Sequence, residues 1–150
     1  MLGPVLGTAA ALLALAAGPA RADCFDWTAP AAVIREGTLQ GLPPGPVAWR
    51  TGTSSMGFGH AATAVALRWT QPDRSTVEQV IFTEIQDGTP RLLVDAGRLQ
   101  LRVAYCEPRR GCRSVSLPYR WDPAAGRFAG ANRAARETLA AVSCTPTHQD

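Results

Sequence analysis

Four cysteines, Cys24, Cys106, Cys112 and Cys144, are the residues of this 150-residue chain whose spacing most constrains its chemistry. An even count suits a disulfide framework in an oxidising compartment, with three possible connectivities. Zinc is the competing use, and the spacing argues against it. No two cysteines stand as C-x-x-C, and His60 and His148 lie far apart in the chain. Cys106 and Cys112 enclose Glu107, Pro108, Arg109, Arg110 and Gly111, a stretch suited to the end of a hairpin. Joining them leaves Cys24 for Cys144, so two disulfides are expected.

His60 closes a run containing Ser54, Ser55, Met56, Gly57 and Gly59, which reads as the most loop-like part of the chain. A histidine beside serines suits a small hydrolase using Ser54 or Ser55. The serine elbow, however, needs G-x-S-x-G, and Met56 stands where its last glycine belongs. Met56 with His60 would suit copper, but no third ligand follows from the spacing. Glu78, Glu84, Asp87 and Asp95 fall on strand faces or turns and form no acid–base pair. The reading therefore assigns no catalytic residue, no metal and no cofactor.

Binding is better served by two other features. Arg109 and Arg110 sit side by side at the tip of a loop clamped by the Cys106–Cys112 bridge. A constrained tip loses little entropy on binding, and arginine forks match carboxylates and phosphates. Phe82 and Leu93 fall together with Val80 on the face opposite the expected core. Residues 30–50 either cover them or leave an apolar patch for a partner.

The elements that position these groups follow from periodicity. Between residues 63 and 121 apolar and polar residues alternate, with turns at short intervals, which predicts antiparallel strands. Leu99, Leu101 and Val103 share one face, as do Val115, Leu117 and Tyr119. Opposing Cys106 to Cys112 sets Val103 against Val115, Leu101 against Leu117 and Leu99 against Tyr119. A one-residue slip would destroy that match.

Asp87-Gly88 is a two-residue hairpin signal, and it places Glu84 opposite Arg91, Ile81 opposite Val94 and Phe82 opposite Leu93. Ala96-Gly97 makes the next turn, with Leu92 against Leu101 and Val94 against Leu99. Val65, Leu67 and Trp69 supply one more strand. Arg127 and Phe128 briefly resume the sheet, and an alanine-rich helix over 131–142 covers its apolar face. A shorter helix is predicted over 30–36, with Pro30 in its first turn and Gly37 after its end. Leu42 to Pro46 is too rich in proline for regular structure and reads as an extended linker. The expected fold is α+β: an antiparallel meander of about five strands, a C-terminal helix on one face and two disulfides.

Residues 1–22 are apolar and rich in small side chains, ending Ala20-Arg21-Ala22, the pattern of a cleaved export signal. Cleavage after Ala22 gives a domain over 23–145 and a flexible tail over 146–150. All fifteen basic residues are arginines, set against twelve acids. So small an excess does not predict nucleic-acid binding, which needs a dense basic face. No segment after the leader is apolar enough to span a bilayer as a helix. The sequence reading is a periplasmic or secreted, non-catalytic binding or accessory protein of the cell envelope. It presents the arginine loop to an envelope or extracellular macromolecule.

Overall fold

A computed structural model describes residues 33–142. The leader over 1–22, the Cys24–Cys144 bridge and the tail over 146–150 lie outside them. Seven strands follow one another in a single antiparallel meander: β1 (Val33–Leu39), β2 (Val47–Gly57), β3 (His60–Thr70), β4 (Thr76–Asp95), β5 (Arg98–Glu107), β6 (Gly111–Asp122) and β7 (Arg127–Gly130). One short helix, α1 (Arg133–Ala140), ends the described chain. Each strand pairs with its sequence neighbour, so their order in space is their order in the chain.

β4 organises the sheet. Over its 20 residues it pairs first with β3, from Thr76 to Asp87, and then with β5, from Arg91 to Asp95. The ladder to β5 is irregular between those segments, where Gly88, Thr89 and Pro90 intervene. Pro90 has no N–H to give the ladder, and Gly88 adopts a φ of 75° that a side chain would strain. Strands that change layers do so at bulges of this kind. Counting the halves of β4 separately gives eight strand segments in two layers.

The layers pack face to face. Trp69 on β3 meets Trp121 on β6 and Phe128 on β7 edge to face, with ring centroids 5.5 and 5.6 Å away. The Tyr119 hydroxyl on β6 donates to the Ile81 carbonyl on β4 at 3.0 Å. One buried cluster joins Val47, Val65, Leu67, Ile81 and Phe82 to Leu99, Leu101, Leu117 and Phe128. Leu42 caps it from the β1–β2 connection. The helix lies on β7, β4 and β6, with Ala135 buried and Leu139 packed against the same cluster.

The expected pairings around the disulfide are all present: Leu99 with Tyr119, Leu101 with Leu117, Val103 with Val115 and Cys106 with Cys112. Leu92 opposes Leu101 and Val94 opposes Leu99, also as expected. Several expectations are corrected, first the strand count: seven strands stand where about five were expected. No hairpin forms at Asp87-Gly88, because the chain bulges there and continues as β4; Glu84 therefore pairs with Thr63 and Ile81 does not meet Val94. Residues 50–60 are not a loop but part of a β-hairpin, turning at Gly57, Phe58 and Gly59, all at positive φ.

Residues 33–36 are strand, not helix. β1 pairs along β2, and the Trp49 indole lies over Gly37, where an added Cβ would come within 2.8 Å of its Nε1. That glycine thus serves close approach between strands instead of ending a helix. Residues 42–46 make a tight turn instead of an extended linker, with Gly45 N–H donating to the Leu42 carbonyl at 2.9 Å. The C-terminal helix is shorter than expected, starting where the Asn132 side chain accepts the Ala135 N–H at 2.8 Å.

Candidate functional site

Two hairpins and one bulge meet around one carboxylate. Asp87 lies at the bulge of β4, only 5% exposed. Its Oδ2 accepts the backbone N–H of Cys106 at 2.6 Å, and its Oδ1 lies 2.7 Å from Nδ1 of His60. One buried carboxylate thus fastens the turn end of the β2–β3 hairpin and the base of the disulfide-clamped loop to the same point. Beside it, Gln86 is fully buried and donates from Nε2 to Thr63 Oγ1 and to the Gly88 carbonyl, both at 2.9 Å. These bonds hold the bulge, which explains why the Asp-Gly signal does not become a turn.

The disulfide hairpin projects from that anchor. Cys106 and Cys112 form a bridge across directly paired positions of β5 and β6. At its end the Arg110 N–H donates to the Glu107 carbonyl at 3.1 Å, closing a tight turn. Arg109 takes a φ of 71°, a left-handed conformation that a non-glycine residue holds at some cost. Such strain persists where surrounding structure enforces it, and here the bridge does so. Arg110 pairs with Glu107 at 3.2 Å, both largely in solvent, so the pair is weak and exchangeable. Arg113 stacks on the Tyr105 ring at 5.3 Å, and the Tyr105 hydroxyl donates to Glu84 at 2.9 Å. Partial burial and the neighbouring Glu84 push the Tyr105 hydroxyl up to about 12. It is a donor, not a base, at neutral pH.

The residues singled out from sequence fall in different places. Arg109 and Arg110 are exposed at the clamped tip. Phe82 is fully buried and pairs with Val65, whereas Leu93 pairs with Gln100 and is 38% exposed. The two never meet. Both lie on β4, which does not turn back at Asp87-Gly88, and a second bulge sets the face of Phe82: the β3–β4 register shifts so that Ile81 is the extra residue, and both Ile81 and Phe82 turn into the main core. Val80 remains on the far side, against Ala64 and Ala66.

His60 does have a carboxylate, and it is Asp87. Ser55 accepts the Gly57 N–H at 3.3 Å and is exposed, and no hydroxyl is bonded to His60 among the described residues. Met56 is exposed on the same hairpin, and no group of three or more His, Cys, Asp and Glu side chains gathers to hold a metal among the described residues. No described helix is long and apolar enough to cross a membrane. Comparison of the chain with family models, with curated proteins and with solved structures finds no match.

Proposed function

We propose that this chain is a small exported, non-catalytic binding or accessory protein of the cell envelope, and that the tip of its disulfide hairpin is the recognition element. The observation that carries the reading is the Cys106–Cys112 bridge, which clamps a five-residue loop with exposed Arg109 and Arg110 at its end. A loop held in this way is ordered before it meets a partner, so little conformational entropy opposes binding. Arginine forks select a partner that offers carboxylates or phosphates. The bridge itself fits an oxidising compartment, where such bonds persist.

A photo-crosslinker at position 109 in the native envelope should yield a discrete adduct. A crosslinker at position 137, on the exposed side of the helix, should not. The adduct should fade in an Arg109→Ala/Arg110→Ala variant of unchanged thermal stability. Equal adducts from both positions would remove the loop from the function.

A small hydrolase is a second reading, favoured by the 2.7 Å contact between His60 and Asp87. A carboxylate on Nδ1 fixes the tautomer that leaves Nε2 as a base, the orientation used in nucleophilic catalysis. Ester hydrolysis by the purified protein, abolished in His60→Ala and Asp87→Asn, would establish it. Activity that survives both substitutions would dismiss it.

A further inference from the structure

We infer that the outer face of β4, β5 and β6 carries a binding site for the phosphoryl group of a small solute, built on Arg91 and Arg102. These two arginines are direct cross-strand partners, and both are exposed. Side chains so placed root their Cβ atoms only about 5 Å apart, and like charges directly opposite one another destabilise a sheet. Neither arginine has an acidic partner among the described residues. The carboxylate nearest in the ladder, Asp87, is one pair further along opposite Ala104, and it is already engaged by Cys106 and His60. An arrangement that costs stability when empty is relieved by an anion.

The surroundings fit that ligand. Arg91 and Arg102 line a recess of about 370 Å³ together with Thr89, Val103, Ala104 and Ser114. That volume suits a small molecule. Thr89 comes from the bulge and Ser114 from β6, and both line the recess beside the arginine pair. Two guanidinium forks and two hydroxyls offer more donors than a carboxylate with two oxygens can accept. A tetrahedral dianion matches both the donors and the double positive charge. The site lies on strands away from the tip at Arg109, and the inference does not depend on the tip's role.

Thermal unfolding in sodium phosphate and in sodium chloride of equal ionic strength tests it. At ten times the dissociation constant, phosphate should raise the midpoint of the native protein by on the order of 5 °C over chloride. Sulfate should act similarly and acetate much less. Arg91→Gln and Arg102→Gln, both surface changes, should each lose most of that rise. Each variant should also unfold no lower than the native protein in dilute chloride, because one of two repelling charges is gone. Equal midpoints in phosphate and chloride for the native protein, or an undiminished rise in both variants, would overturn the site. Co-sedimentation with phosphatidylglycerol vesicles, without protection by inorganic phosphate, would overturn the assignment to a small solute.

Discussion

The side chain of Gln79 pairs with the backbone of Phe128 as another strand would. Its Nε2 donates to the Phe128 carbonyl at 2.8 Å and its Oε1 accepts the Phe128 N–H at 2.9 Å. Both residues are buried and stand 49 positions apart in the chain. One carboxamide therefore ties β7 to the first half of β4, although the two do not pair in the sheet. Gln79→Leu leaves a buried N–H and a buried carbonyl without partners, and each such group costs about 1–3 kcal/mol. Urea denaturation should show a loss of about 2–5 kcal/mol. Gln79→Glu keeps the size but sets a carboxylate against a carbonyl oxygen. Burial raises the folded-state pKa of that new acid, so stability should fall as pH climbs above the carboxylate range. A loss independent of pH would contradict this account.

Asp87 and His60 should separate cleanly in stability. Asp87→Ala deprives the Cys106 N–H and the His60 ring of their acceptor at once, costing about 2–4 kcal/mol. His60→Ala leaves the bond to Cys106 intact and removes only a side chain that is 42% exposed. Its cost should be about 1 kcal/mol or less. Chemical denaturation of both variants checks the ranking. Equal losses would mean that the bond to Cys106 contributes nothing.

The chain holds two tyrosines, so an alkaline titration followed by phenolate absorbance reads both directly. Tyr105 is pushed up to about 12, mainly by burial and then by its bond to Glu84. Tyr119 is raised further by deeper burial. Neither should ionise near the ordinary value of about 10 while the protein stays folded. A phenol whose folded pKa lies above its unfolded one adds stability that is whole below pH ~10 and drains away toward 12. The free energy of unfolding should therefore decline across that window, and less steeply in Tyr105→Phe. A phenolate signal with its midpoint near 10 in folded protein would refute the assignment.

Gly130 carries the contact between sheet and helix. A Cβ built there would fall within 2.6 Å of the Ala135 carbonyl carbon and closer still to Arg136 N, both helix backbone. Backbone cannot move aside as a flexible side chain can. Gly130→Ala should cost about 1–3 kcal/mol by overpacking, with helical signal lost at lower temperature than sheet signal. Gly111→Ala meets nothing within 4 Å and serves as the control, its cost arising only from its φ of 78°.

What the sequence made legible was local. Around Cys106 and Cys112 the alternation and the covalent link specify the same register, and β5 and β6 obey it. The run from Val65 to Trp69 was equally plain, because its apolar side chains recur at period two. The Asp87-Gly88 signal misled because its carboxylate is spent on Cys106 and His60, which are distant in sequence. Only Pro90, which suits a bulge better than a regular strand, hinted otherwise. The bulge at Ile81 left no mark in composition, and it alone decides that Phe82 is core. Gly37 resembled the end of a helix, yet its role is set by Trp49 across the strand pair. The arginine tip was visible at once. The opposed Arg91 and Arg102 were not, since their meeting depends on where β4 stops pairing with β3 and starts pairing with β5.

Since a single strand runs through both halves of the molecule, neither half can peel away alone without baring the oily surface of the other. Amide protons at Leu67 and Leu101, one on each side, should consequently trade with deuterium through the same rare opening and at the same free energy. Only the hairpin ends would breathe independently, and one of them carries Arg109 and Arg110.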